Sequence, residues 1–210
     1  MKKILVFLTD GYADWEPALI AAELSKSEYD FEVKTIALNK QPKKSMGGFH
    51  VLPDYGLDEP VFQECDIALL IVPGGTGWGD VKNHKVTSLI DACLKRNIPV
   101  AAICDGVTFL ANKGYLDSVR HTGNTLEYLK QMAPNYKGQE LFVEEQAVSD
   151  GNFITANGTA PIEFAREILK KLKVIPDVSF AQSRLEELGV DFSDKIAGWH
   201  ALWKYGFYGR

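Results

Sequence analysis

The sequence predicts an α/β protein with a mainly parallel central sheet and helices on both faces. Two observations carry this. Ile4–Leu8, Ile67–Val72 and Pro99–Ile103 are apolar runs without polar alternation, as strands read when both faces are buried in a parallel sheet. Each is followed by a helical pattern, and regular alternation of strand and helix builds an open three-layer sandwich.

The elements follow in order. Ile4–Leu8 stops at Asp10-Gly11, and a helix with Asp14 as N-cap and Pro17 in its first turn runs to Leu24. Phe31–Leu38 is a second strand, with Phe31, Val33 and Thr35 alternating against Glu32 and Lys34. Met46–Tyr55, with Gly47-Gly48 and Pro53, reads as a short hairpin or edge excursion. Ile67–Val72 ends at Pro73-Gly74-Gly75, and Val86–Lys95 is amphipathic. Pro99–Ile103 leads into a helix over Asp105–Lys113 that Gly114 ends as a C′ residue. Thr125–Met132 is a short helix, and Leu141–Val148 and Asn152–Thr155 flank a hairpin turn at Ser149-Asp150-Gly151-Asn152. The last helix is Pro161–Leu172, capped by Thr159, with Ile162, Phe164, Ala165, Ile168 and Leu169 inward. Pro176-Asp177 marks a boundary. Residues 1–175 are expected as the main domain. Residues 176–210, with seven aromatics among them, are expected as a helical extension packed on it that covers the pocket mouth or a dimer interface.

Length and charge narrow the function. A chain of 210 residues with 46% apolar and 24% charged residues is ordinary globular composition, which excludes disorder, collagen and coiled coil. The net charge is −5, and Lys43-Lys44 and Lys170-Lys171 are too short to form a basic footprint, so nucleic acid and anionic membranes are not expected partners. The apolar run after Lys2-Lys3 is shorter than the roughly 7–15 residues of a signal peptide core, and no stretch nears the roughly 20 of a membrane span. The expected location is the cytoplasm. The three cysteines, Cys65, Cys93 and Cys104, are too few and too scattered for disulfides or a metal cluster.

One cysteine stands apart. In Ala102-Ile103-Cys104-Asp105-Gly106 a buried strand runs straight into a helix with a nucleophilic residue at the junction, the nucleophile-elbow arrangement. There the helix N-terminus favours a thiolate. Cys65 and Cys93 read as packing residues. Gly74-Gly75 closes the strand one unit earlier, so both strand ends meet at the carboxyl edge of the sheet, where ligands collect, and a Gly75 N–H could serve an oxyanion hole. The Gly74–Gly79 run lacks the spacing of a nucleotide loop. Asp14 and Glu16 follow the first strand at the same edge. Of His50, His84, His121 and His200, none has metal-ligand spacing, and His121 is the candidate to approach Cys104. No cofactor and no metal are expected.

Cys104 at its elbow, Gly74-Gly75 one unit earlier, the acids after the first strand and the passage Ala156-Asn157-Gly158-Thr159-Ala160-Pro161 together resemble the PfpI intracellular-protease family. This family lies within the class I glutamine amidotransferase-like superfamily, which also holds the parkinsonism-associated deglycase group. The similarity spans about Lys2 to Leu172. It implies a flavodoxin-like fold, a Cys104 nucleophile, a Gly75 oxyanion contact and Glu16 as the acid against the sulfur. Protease members carry His directly after the nucleophile, where this chain has Asp105; other members supply a His near the position of Asn124. A Cys-His protease is therefore not supported. The expectation is a cysteine hydrolase, amidase or lyase acting on a small molecule or adduct. Cys104, Glu16, Gly75, Asp105 and His121 are its catalytic candidates, and Gly74, Asn124 and Thr159 its substrate contacts. A homodimer is a further expectation. The alternatives are an oxidant-responsive protein using Cys104, or a binding module that kept the pocket without the base.

Overall fold

The structure is a computed structural model and describes residues 1–27, 29–60 and 66–174. Its strands are β1 (Lys2–Phe7), β2 (Phe31–Ala37), β3 (Lys43–Lys44), β4 (His50–Val51), β5 (Tyr55–Gly56), β6 (Ile67–Val72), β7 (Val100–Ile103), β8 (Ala147–Asp150) and β9 (Phe153–Ala156). The helices are α1 (Trp15–Leu24), α2 (Thr87–Lys95), α3 (Asp105–Asn112), α4 (Leu126–Met132) and α5 (Pro161–Lys171). Met1–Ile168 forms one compact unit. Leu169–Arg210 forms another, of which residues 169–174 are described and include the last turn of α5. Cys65 and the expected extension over 176–210 lie outside the described residues.

Seven strands form one sheet in the order β5-β2-β1-β6-β7-β9-β8. Every neighbouring pair is parallel except β8 with β9. The three-layer α/β expectation holds. The chain leaves β1 to one side for β2 and to the other for β6, so the crevice between the carboxyl ends of β1 and β6 is the topological switch point.

The central strands are apolar for the reason inferred. Ile4 to Phe7 of β1, Leu69 to Val72 of β6 and all of β7 are buried. Ile90 and Cys93 of α2 and Val107 and Leu110 of α3 complete the packing around them. Both α2 and α3 end in Schellman motifs. Gly114 at φ 78 and Asn97 at φ 55 take the left-handed position, with Tyr115 N–H on Leu110 O and Ile98 N–H on Cys93 O.

Four local expectations are corrected. Along β2, Phe31, Val33 and Thr35 are no more buried than Glu32 and Lys34, because Glu32 pairs with Lys3 and Lys34 along the sheet surface. The hairpin begins earlier than Met46: Lys44 pairs with His50 and Lys43 with Val51, while Tyr55–Gly56 joins the main sheet beside β2. The strand expected over Leu141–Val148 exists only from Ala147. Before it, Leu141 and Val143 pair with the His121 backbone, and the exposed Glu144-Glu145-Gln146 belongs to no strand. Ile162 of α5 is half-buried, whereas Phe164, Ala165 and Ile168 are buried.

Backbone packs closely where α3 meets β6. A Cβ on Gly106 would stand 2.2 Å from the Val72 carbonyl oxygen, so this position admits no side chain. We predict that Gly106→Ala lowers unfolding free energy by about 1–3 kcal/mol in urea titration. Gly79→Ala, where a Cβ meets nothing within 4 Å, should change it by less than about 0.5 kcal/mol.

Candidate active site

Four strand ends, those of β1, β6, β7 and β9, build the site. The segment after β1 runs beside the turn after β6: Ala13 N–H donates to Gly74 O at 3.1 Å and Thr76 N–H to Gly11 O at 3.0 Å. Cys104 follows β7, and its N–H donates to Ala156 O at the end of β9. The residue has φ 57 and ψ −125. A non-glycine residue here is strained, and the strain turns the side chain out of the sheet plane at the first turn of α3.

Glycines surround the sulfur. A Cβ on Gly74 would lie 2.6 Å from Cys104 Cβ, and one on Gly158 2.8 Å from Cys104 Sγ. Gly75 has φ 122, and a Cβ there would meet Gly11 O at 2.1 Å. Its N–H carries no hydrogen bond among the described residues.

Glu16 enters from the first turn of α1 and is fully buried. Its Oε2 accepts the Gly74 N–H at 2.6 Å, while Oε1 has no hydrogen-bond partner. Burial pushes its pKa from 4.5 up to about 7; the Gly74 N–H and the Cys104 thiol pull it back, and the Asp105 charge adds to the rise. The thiol therefore acts on Glu16, although no hydrogen bond of ordinary geometry joins the two groups.

Asn124 reaches the sulfur from the other side. Its Oδ1 accepts the Gly158 N–H at 2.9 Å, which leaves Nδ2 to donate to Cys104 Sγ at 3.5 Å. The Gly158 N–H thus settles which end of the amide faces the thiol. Asp105 turns its carboxylate to Tyr128, whose hydroxyl donates to Oδ1 at 2.8 Å.

The thiol is not the free thiolate that the helix N-terminus alone would favour. Burial pushes its pKa up to about 12; the Asn124 N–H lowers it, the Glu16 and Asp105 charges raise it further, and the Asp105 backbone N–H lowers it. Burial and two carboxylates outweigh one helix terminus. At neutral pH the proton sits on sulfur, with Glu16 close to its own titration point.

Two expected site residues, His121 and Thr159, stand elsewhere, and the expected cap Asp14 bonds the hairpin instead. His121 is fully buried, with Nε2 bonded to Tyr136 OH at 2.6 Å and Nδ1 to Val119 O at 2.7 Å. Both ring nitrogens are engaged, so His121 is not a base for Cys104. Thr159 is exposed and donates to Asn157 Oδ1 at 2.6 Å. It shapes a turn and touches neither the sulfur nor the α5 N–H groups. Asp14 occupies the N-cap position of α1 without capping it, and instead accepts from Ser45 Oγ and Gly47 N–H on the hairpin. Sequence reasoning missed Gly158 and Tyr128. The adjacency of β7 and β9 would have exposed Gly158; Tyr128 left no motif.

A groove of about 270 Å³ is lined by Asn124 together with Thr122, Glu127, Phe142, Gln146 and Asn157; Cys104 is not part of its wall. The raised Glu16 pKa sets a stability signature. The folded protein holds this proton more tightly than the unfolded chain, so the associated stability is full below about pH 4.5 and is lost as pH rises through about 7. Glu16→Gln removes that loss. In urea unfolding the stability of wild type relative to the variant should fall by up to roughly 3 kcal/mol between about pH 4.5 and about pH 8.

Comparison with known proteins agrees with the fold. The DJ-1/PfpI family matches residues 2–171. The protein named Uncharacterized protease YoaZ of Bacillus subtilis (strain 168) is 39% identical over 183 residues, 84% of this chain and 86% of its own. Uncharacterized protease YdeA of the same organism is 42% identical over 174 residues, 82% of this chain and 84% of its own. The crystal structure of a thiJ/pfpI family protein from Bacillus anthracis superposes with a TM-score of 0.78 at 36% identity, covering 99% of this chain and 93% of that one. The strained cysteine after β7, the buried acid after β1 and the glycine turn after β6 therefore sit in a chain that belongs to the DJ-1/PfpI family.

Proposed function

We propose that the chain is a cysteine-dependent acyl-transfer hydrolase, of amidase type, for a small molecule or small adduct. The observation that carries this reading is a strained, half-buried Cys104 flanked by a buried carboxyl with a pKa of about 7. A base poised near neutrality is what a protonated thiol requires. In the proposed step the thiol proton passes to Glu16 as Sγ bonds to the substrate carbonyl carbon. The carbonyl π pair moves to oxygen, and the N–H groups of Gly75 and Asp105 receive it. Collapse expels the leaving group with the Glu16 proton. Water then attacks the thioester and gives a proton to Glu16, and the departing sulfur regains it.

The printed names of the Bacillus subtilis relatives say protease. Among the described residues no histidine acts on the Cys104 thiol, which favours small acyl substrates over peptide bonds with poor leaving groups. The test is 4-nitrophenyl acetate. Wild type should release nitrophenolate and carry an acetyl mass on Cys104; Cys104→Ser should lose both while unfolding at the same urea concentration. Undiminished turnover in Cys104→Ser overturns the proposal. The acylation rate should rise with pH through about 7, and Glu16→Gln should abolish that inflection.

A second reading, oxidant response through the same thiol, is favoured by accessibility. Cys104 is half-buried, while Cys93 is fully buried with its pKa pushed up to about 12. Mild peroxide followed by peptide mass analysis should add oxygen to Cys104 before Cys93; equal oxidation of the two counts against this reading.

A further inference from the structure

The residue after the nucleophile is an aspartate, and its charge acts on the thiol from one residue away. A bare carboxylate there would hinder thiolate formation, yet this one is not bare. The Tyr128 hydroxyl donates to Asp105 Oδ1 at 2.8 Å. Tyr128 sits in the first turn of α4, whose N-cap Thr125 accepts the Tyr128 N–H through its side chain at 3.0 Å. The residue before that cap is Asn124, which donates to Cys104 Sγ. One turn of chain therefore delivers two hydrogen-bond donors to the elbow, one to the sulfur and one to its neighbouring charge. No histidine is needed to place either.

We propose that Tyr128 is a positioning residue for Cys104 that acts through Asp105: its hydroxyl binds the carboxylate, offsets its charge and holds it at a fixed distance from the sulfur. The inference rests on Cys104 being the reactive thiol. Among the described residues, the titratable groups acting on that thiol are Glu16 from α1 and Asp105 from α3, and the Tyr128 phenol from α4 feels both Asp105 and Cys104. Removing the hydroxyl leaves the Asp105 charge unshared, and it then acts on the sulfur undiminished. Removing the charge leaves the hydroxyl with nothing to offset. The two changes must therefore be non-additive.

The experiment measures the rate of Cys104 alkylation by iodoacetamide against pH, with the modified residue identified by peptide mass. It uses the full chain as wild type, Tyr128→Phe, Asp105→Asn and the double variant. Tyr128→Phe should react roughly three- to tenfold more slowly at a fixed pH below the thiol's titration. Asp105→Asn should react faster than wild type, and adding Tyr128→Phe to it should change nothing. The proposal is overturned if Tyr128→Phe titrates like wild type. It is also overturned if the change slows Asp105→Asn as much as it slows wild type, because the ring would then act through packing alone. Should Tyr128→Phe melt early, the rates are compared at a temperature where it is folded, and a rate equal to that of wild type overturns the proposal. A wild-type chain in which Cys104 is not alkylated ahead of Cys93 overturns the nucleophile assignment itself, and this inference with it.

Discussion

A single buried hydrogen bond, from the Gly74 N–H to Glu16 Oε2, joins the parts of this site. It crosses the switch point of the sheet, tying the start of α1 to the end of β6. A carboxyl with no exposure to water is tolerable only where a donor meets it or where it keeps its proton. Here both apply in part: one oxygen is bonded, the other is not, and the pKa rises to about 7. The helix entry and the glycine turn are thereby held to one another, with the Cys104 side chain packed against Gly74.

Packing and electrostatics pull the thiol in different directions. The glycines at 74 and 158 lie so close to Cys104 that neither leaves room for a Cβ, and the residue is half-buried as a result. That enclosure opposes ionisation, as do the two carboxylates. The donors of Asn124 and of the α3 N-terminus act the other way. A protonated thiol beside a carboxyl whose pKa is raised to about 7 keeps both the proton and its nearest acceptor inside the site.

Much of the fold was legible because buried parallel strands leave a strong signature. Ile67–Val72 was bounded correctly, and the elbow was visible in Cys104-Asp105-Gly106 with small residues on either side. Glu16 was legible through its place after the first strand and through family resemblance, whereas the Gly74 N–H as its anchor was not. His121 misled because a polar residue beside a site in sequence can serve a buried network instead, as its bonds to Tyr136 and Val119 show. The Met46–Tyr55 excursion and the Leu141–Val148 strand differ from the structure at their edges, since their pairing depends on which backbone lies alongside rather than on periodicity. Tyr128 was invisible because a side-chain bond spanning 23 positions leaves no trace in local pattern.

The amide of Asn124 has a consequence of its own. With its oxygen occupied by the Gly158 N–H, it cannot turn over without stranding that donor. The face it shows to the sulfur is therefore that of a donor. A carbonyl oxygen arriving at that amide finds a donor already turned toward it, whereas an N–H or O–H hydrogen finds no acceptor there.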